Sequence, residues 1–446
     1  MPTWRTFCTP APVRLLFVCK SLPYSFKGGI QTHVWELTRH LIDLGADITI
    51  LTGGSLRRGV YRERQDGREL VFLPYVPGRR LPFLQKSVED IGFNVAAYRW
   101  LRRHARDYDC VHVQGRSGCF YASAKRPPHA PPVLTTFHRL LDVEYAFKGQ
   151  ATGPVDAFVH ERVMTFMERR AARHTDHAVA VSQEMHRELV EAVPEGLAPV
   201  SILPNGVSEE FGEPVAERQS RELVFVGRLE RIKGVYHLLE AMRAVDAGIA
   251  LTIIGDGPER RGITKVLRRD DGLRRRVRLL GDQDADVVRL HIQRSAALVL
   301  PSFHESQGIV LTEAGVCGRP VIGASAPGID EVVVHGETGL LYPPGDAASL
   351  ALVINHLFRH PQRAAAMGER GRRRALEVYN WRHIAADTLA LYRALLAEAP
   401  ISTSTSPASA SPASALTAAP IAAPPLADGP LAEGSPAEGQ LSPARR

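Results

Sequence analysis

From Val13 onward the chain alternates short, nearly continuous apolar runs with segments of helical spacing, and no other feature restricts its fold as much. The runs at 13–19 (VRLLFVC), 46–52 (ADITILT), 109–113, 132–137 and 177–182 are followed by 222–227 (ELVFVG), 250–255, 296–301 and 320–325. A strand buried on both faces loses the apolar–polar alternation of a half-solvated sheet. Such runs therefore imply parallel sheets with helices on both sides. The segment 30–45 (IQTHVWELTRHLIDLG) shows what separates them: apolar residues recur at helical spacing, and the pattern stops at Gly45. A polar break with glycines and a proline lies near 205–221, and the alternation restarts at Glu222. The predicted architecture is α/β, with two doubly wound domains, 13–205 and 222–379, facing across a cleft. An N-terminal extension (1–12), a linker (206–221) and a last helix (380–397) complete it. In such sheets ligands sit beyond the carboxyl ends of the strands, here in the cleft.

The rest of the chain bounds its class. Residues 400–446 are rich in Ala, Pro and Ser, without an aromatic residue, and are expected to be disordered. No run of 18 apolar residues occurs, so no membrane span is expected. The first residues carry no apolar core of a signal peptide. Five cysteines, odd in number and without metal spacing, favour free thiols in a reducing cytoplasm. The net charge of +7 suits phosphate-bearing ligands, anionic lipid or nucleic acid without choosing among them. Nucleic acid is not expected, because no basic–aromatic module or known motif is present. The stretch 95–106 (VAAYRWLRRHAR) reads either as a peripheral contact with an anionic membrane or as a surface helix packed before the next strand.

The loops after the strands carry the unusual residues. Gly28 and Gly29 precede the first helix, where glycine lets backbone approach a ligand and a helix N-terminus offers N–H groups to an anion. A plain turn has the same look. Arg228 and Lys233 stand just past the strand at 222–227 and can clamp a diphosphate, one as a planar fork and one as a point charge. The run IIGDGPER lacks the dinucleotide fingerprint, since Arg260 stands where its last glycine would be, and no P-loop pattern occurs. The stretch HESQGIVLTEA places Glu305 and Glu313 eight residues apart. With a helix starting near Gln307, about 12 Å of axis separates them. Carboxylates doing acid–base work on one bond stand about 5–9.5 Å apart. The pair reads as two contacts on one extended ligand, with the free N–H groups of Ser306, Gln307, Gly308, Ile309 and Val310 between them. The bland alternative is a capped helix with one solvated glutamate.

In combination these residues resemble a known family. Residues 298–346 (LVLPSFHESQGIVLTEAGVCGRPVIGASAPGIDEVVVHGETGLLYPPGD) are similar to the donor-site region of the retaining GT-B glycosyltransferases of family 4, whose E-x7-E motif matches Glu305 and Glu313. GGIQTHVWELTRHLIDLGADITILT, TTFHRL, PNGV, FVGRLERIKGVYHLLEA and IIGDGPE resemble further family segments in the same order, across roughly 13–395. The resemblance implies a GT-B fold of two Rossmann-like domains, the first binding the acceptor and the second the nucleotide sugar, with the last helix crossing back through Trp381. It implies a nucleotide diphosphate sugar as donor substrate, a saccharide or lipid-linked acceptor, and no cofactor or essential metal. By position, Arg228 and Lys233 bind the diphosphate and stabilise the leaving group. Gly28 and Gly29 approach the phosphates from the other domain. Glu305, helped by backbone at Ser306–Val310, holds the transferred sugar, Glu313 holds the ribose, and His138 lies near the reacting sugar. His112 and His304 are expected to be structural.

Two positions depart from the family. Ser306-Gln307-Gly308 replaces the frequent Gly-Phe-Gly, so Gln307 is expected to alter which donor sugar is accepted. Pro327-Gly328 replaces a Gly-Gly pair, stiffening that loop. The competing functions are a sugar-nucleotide epimerase on the same fold and a sugar-nucleotide-binding protein without turnover. The presence of Arg228, Lys233 and Glu305 speaks against both.

Overall fold

A computed structural model describes residues 12–23, 28–76, 85–127, 129–140, 154–212 and 221–398. Residues 1–11 of the expected extension, 213–220 of the linker and the 400–446 tail lie outside the described residues.

The first sheet contains β1 (Arg14–Val18), β2 (Asp47–Gly54), β3 (Tyr61–Gln65), β4 (Arg68–Pro74), β5 (Cys110–Gln114), β6 (Val133–Phe137), β7 (His177–Ala180) and β8 (Val200–Ile202). Their order is β3-β4-β2-β1-β5-β6-β7-β8, parallel throughout except for the β3–β4 hairpin. The second contains β9 (Glu222–Val226), β10 (Ala250–Ile254), β11 (Val277–Gly281), β12 (Ala297–Leu300), β13 (Val321–Ala324) and β14 (Gly339–Tyr342), in the order β11-β10-β9-β12-β13-β14. Counted from β9 this is the order of a doubly wound nucleotide-binding sheet, which reverses direction between β9 and β12.

The helices that matter below are α1 (Gly29–Asp43), α2 (Gln85–His104), α3 (Pro154–His174), α4 (Gln183–Ala192), α5 (Val235–Ala244), α6 (Ile309–Val316), α7 (Pro361–Val378) and α8 (Trp381–Glu398). Strand β1 shows why helices cover both faces. Leu15 and Phe17 point into one core with Val34, Leu37 and Leu41 of α1. Leu16 and Val18 point into another, with Phe93 and Leu101 of α2 and Met164 of α3. Successive strand residues face opposite sides, so a strand between two helical layers is apolar at most positions. Each such side chain contributes about 1.5–3 kcal/mol.

The chain passes between the two sheets near Val207 and again near Asn380, where these residues form a parallel bridge and the Val207 N–H donates to the Tyr379 carbonyl at 2.7 Å. There the Trp381 indole lies on Gly206, where a Cβ would fall 2.4 Å from the ring. Helix α8 then packs Trp381, Ile384, Leu389 and Tyr392 into the core of α1 and β1.

The apolar-run reading places no strand at β3, β4, β8, β11 or β14. β3 (YRERQ) is an edge strand with almost no buried face, so it needs no apolar run. Its signal was the Asp66-Gly67 turn: both residues have positive φ, 48° and 77°, as a two-residue hairpin of this hand requires. Among the described residues no helix is long and apolar enough to cross a membrane. The 95–106 stretch lies on α2 and the turn that follows it, with Trp100 buried and stacked on His104 at 4.4 Å.

Candidate functional site

The loops after β9 and β12 meet at the point where the strand order reverses, and loops of the first sheet reach the same place. Lys233 ends a single helical turn, Arg231–Lys233, after β9. The next residue, Gly234, has φ 65°, and a Cβ there would fall 2.0 Å from the Pro301 carbonyl oxygen. This close approach, with the Phe303 N–H donating to the Ile232 carbonyl at 2.8 Å, sets Lys233 against the 301–305 loop. Its ammonium donates to both oxygens of Glu305 at 2.6 and 2.7 Å. The Ser302 hydroxyl donates to Glu305 Oε1 at 2.7 Å, and Arg139 Nη2, from the loop after β6, stands 4.0 Å from Oε2.

Glu305 is only 5% exposed. Burial drives its carboxyl upward, but Lys233, Arg139 and the Ser302 hydrogen bond outweigh that and hold it below its ordinary value. Its backbone is fixed from behind. The Glu305 N–H donates to the Pro327 carbonyl at 3.0 Å, and Gly328, with φ 76°, lies so close that a Cβ would be 1.9 Å from the Glu305 carbonyl oxygen. Arg228 stands just past the end of β9. It is half-exposed, and its Nε donates to Glu230 at 3.0 Å.

Helix α6 begins at Ile309 rather than near Gln307. Gly308 takes a left-handed φ of 72° and makes the sharp entry, so Ser306 and Gln307 stand in the preceding loop. The N–H groups presented by the helix start are therefore those of Ile309 and Val310, while Leu311 N–H already bonds Gly308. The buried Ser306 hydroxyl has no hydrogen-bond partner among the described residues. Across this helix start lies Gly29, where a Cβ would meet the Ile309 side chain at 3.4 Å. Gly28 caps α1 in an extended conformation that any residue adopts, so its role is closeness rather than backbone freedom.

Glu313 lies in the middle of α6, and desolvation pushes its carboxyl up to about 7. Its folded pKa stands above the unfolded value, so the folded protein holds an extra proton between the two. Stability attributable to this group is therefore fully present below about 4.5 and is lost as pH rises through about 7. Glu313→Gln is expected to stabilise the protein at pH 8 by on the order of 2 kcal/mol and to leave it unchanged at pH 4, read from urea melts at both values. Equal effects at the two pH values would contradict the assignment.

Gln307 does not open into the cleft. It is 3% exposed, and its Oε1 accepts from the Asn205 N–H at 2.6 Å and from Asn205 Nδ2 at 2.7 Å. Its Nε2 donates to the Asn205 carbonyl at 2.8 Å. Its amide is committed to the turn that ends the first sheet, which is why we correct the expectation of a donor-sugar contact. Asn205 Oδ1 in turn accepts from His33 Nδ1 at 2.8 Å. His33 is buried and stays neutral, pushed down to about 4 by desolvation. Its ring packs edge-on against His138, centroids 4.7 Å apart.

His138 is also buried and neutral, held well below its ordinary value by burial and by His33 and His112. Its Nε2 donates to Gln114 Oε1 at 2.9 Å. His112 is held between the Tyr392 hydroxyl and Thr136, and His304 Nε2 stands 3.1 Å from Glu188 of α4. The Glu331 carboxylate accepts from the N–H groups of Gln183 and Glu184 at the start of α4. Loop residues of the second sheet at 304, 305, 307 and 331 thus each meet a partner from the first. Sequence reasoning missed Arg139, Asn205 and Glu331, because their importance lies in contacts across 102 to 166 positions of chain, and Ser302, three residues before Glu305, because a serine in a polar loop carries no signal of its own.

Two family profiles match the chain. The one described as Glycosyltransferase Family 4 covers residues 27–211, and the one described as Glycosyl transferases group 1 covers 207–374. The chain is 26% identical over 410 residues to the glycogen synthase of Mycobacterium tuberculosis, covering 86% of this chain and 95% of that protein. Among solved structures it is similar to sucrose-phosphate synthase from Thermosynechococcus elongatus, with a TM-score of 0.72, 23% identity and coverage of 86% and 99%. It is also similar to Anabaena HepE in complex with UDP-glucose, with a TM-score of 0.64, 20% identity and coverage of 85% and 99%.

Proposed function

We propose, from the premise that this chain belongs to the group 1 glycosyltransferases of GT-B fold, that it transfers a hexosyl unit from a nucleotide diphosphate sugar to an acceptor hydroxyl. In this reading the anomeric configuration is retained and no metal ion is essential. The observation that carries it is the part-buried Lys233–Glu305 pair at the switch point, flanked by Arg139 from the opposite sheet. The bond from the anomeric carbon to the β-phosphate oxygen breaks, and its electron pair leaves on the diphosphate. Lys233 and Arg228 stabilise that charge as it develops. The acceptor oxygen bonds to the anomeric carbon, and its proton passes to the departing phosphate on the same face of the sugar.

The remaining groups position the donor. Glu305 accepts hydroxyls of the transferred sugar, assisted by the Ser306 hydroxyl and the Ile309 and Val310 N–H groups. Glu313 accepts from the ribose, Gly28 and Gly29 bring backbone up to the phosphates, and neutral His138 hydrogen-bonds near the reacting sugar. The UDP-glucose bound by HepE supports a nucleotide sugar as donor. The acceptor is a saccharide or a lipid-linked saccharide. The buried, unbridged Cys19, Cys110 and Cys119 support a cytoplasmic setting.

A thermal-shift panel of UDP, GDP and ADP with their sugars tests the reading. One nucleotide series is expected to raise the midpoint, adding about 2.7 kcal/mol at a hundredfold excess over its Kd. A flat response across the panel would sink it. With the donor identified, NMR of the fresh product anomer reads retention directly.

A further inference from the structure

Helices α2 and α3 lie side by side on one face of the first sheet, both buried through the same apolar core. Their outward faces carry arginines and exposed phenyl rings together. On α3, Phe158, Arg162, Phe166, Arg169 and Arg173 fall within an arc of about 80° at about 100° per residue. Buried Met164 and Ala171 of the same helix point the opposite way. Phe158 is 59% exposed and Phe166 62%, and they are the most exposed phenylalanines among the described residues. On α2 and the turn that ends it, Arg99, Arg102, Arg103 and Arg106 form a second exposed stripe. With Arg170 these helices show eight exposed arginines, against the exposed acids Glu161 and Asp107.

We infer that this face docks on an anionic lipid bilayer. The arginines are placed to meet headgroup phosphates, and the two phenyl rings, two turns apart with Arg162 between them, are placed to enter the acyl boundary. Charge alone would fit any polyanion. The two exposed rings select the bilayer, because there alone do they leave water for a hydrocarbon phase on the same face that the arginines neutralise. Arg162 lies over the Phe158 ring at 5.3 Å, so cation and ring share one patch. The inference is independent of which sugar nucleotide is used.

The test is co-sedimentation of the full chain with vesicles of phosphatidylcholine alone and of phosphatidylcholine with phosphatidylglycerol. Wild type is expected to bind the anionic vesicles at least about tenfold more tightly, with binding weakened by salt. Phe158→Ser with Phe166→Ser, and separately Arg99→Glu with Arg162→Glu, are each expected to cut that binding at least about fivefold. These side chains are exposed, so far-UV circular dichroism and the thermal midpoint should match wild type. Equal binding to both vesicles, no binding to either, or variants that bind like wild type would overturn the inference. So would binding of a single-stranded RNA oligomer, lost in the same variants, without vesicle binding.

Discussion

Lys233→Ala is expected to abolish most sugar transfer, at least about tenfold in kcat/KM, and to destabilise the fold by about 3–5 kcal/mol. Both effects follow from one contact. Without the ammonium, Glu305 remains buried with the Ser302 hydroxyl and an Arg139 guanidinium 4.0 Å away, too little to compensate its desolvation. The same change removes the cation proposed to meet the leaving diphosphate. Glu305→Gln should also lose at least about tenfold in transfer, because a neutral amide accepts sugar hydroxyls less strongly than a carboxylate.

A double variant, Lys233→Met with Glu305→Leu, separates the two effects. It removes both charges, so urea unfolding should recover most of the lost stability while transfer stays lost. Recovery of transfer in the double variant, or single variants that turn over like wild type, would show that the pair is structural only. The pair also has a pH signature. The Glu305 carboxyl is held below its ordinary value, so its stabilising contribution is present above about 4.5 and is lost as pH falls through the folded pKa. Wild type should therefore lose more stability on acidification than the double variant.

Gln307→Leu is expected to destabilise the protein by on the order of 3 kcal/mol while leaving its ranking of nucleotide donors unchanged. Leucine is no smaller than glutamine, so the loss comes from three hydrogen bonds to Asn205 rather than from a cavity. The substitution takes from the buried Asn205 the partners of its N–H, its Nδ2 and its carbonyl. Equilibrium unfolding gives the first quantity, and the thermal-shift panel gives the second. A changed donor ranking with no loss of stability would restore the reading of Gln307 as a donor-sugar contact. Gln307→Glu sharpens the test: it keeps the acceptor for Asn205 but cannot donate to the Asn205 carbonyl, and so should cost part of the stability.

Local chemistry made much of the molecule readable before any coordinates. The apolar runs marked β1, β2, β5, β9 and β12, because strands covered on both faces hold few polar residues. Arg228, Lys233 and Glu305 stood out because charged residues directly after such strands fall where a doubly wound sheet binds ligands. The edge strand β3 escaped because exposure removes the pattern, although its Asp66-Gly67 turn was visible.

What the sequence by itself determined was the pair of doubly wound sheets and which loops follow their strands, since both follow from side-chain period and from order along the chain. The tertiary structure alone decided who meets whom across the seam. It ties Glu305 to Lys233 and sets it near Arg139, gives the Gln307 amide to Asn205, and puts Phe158 and Phe166 on the same face as the α2 arginines. Those pairings join residues as many as 166 positions apart. They depend on how the folded layers close against one another, and no local spacing encodes them.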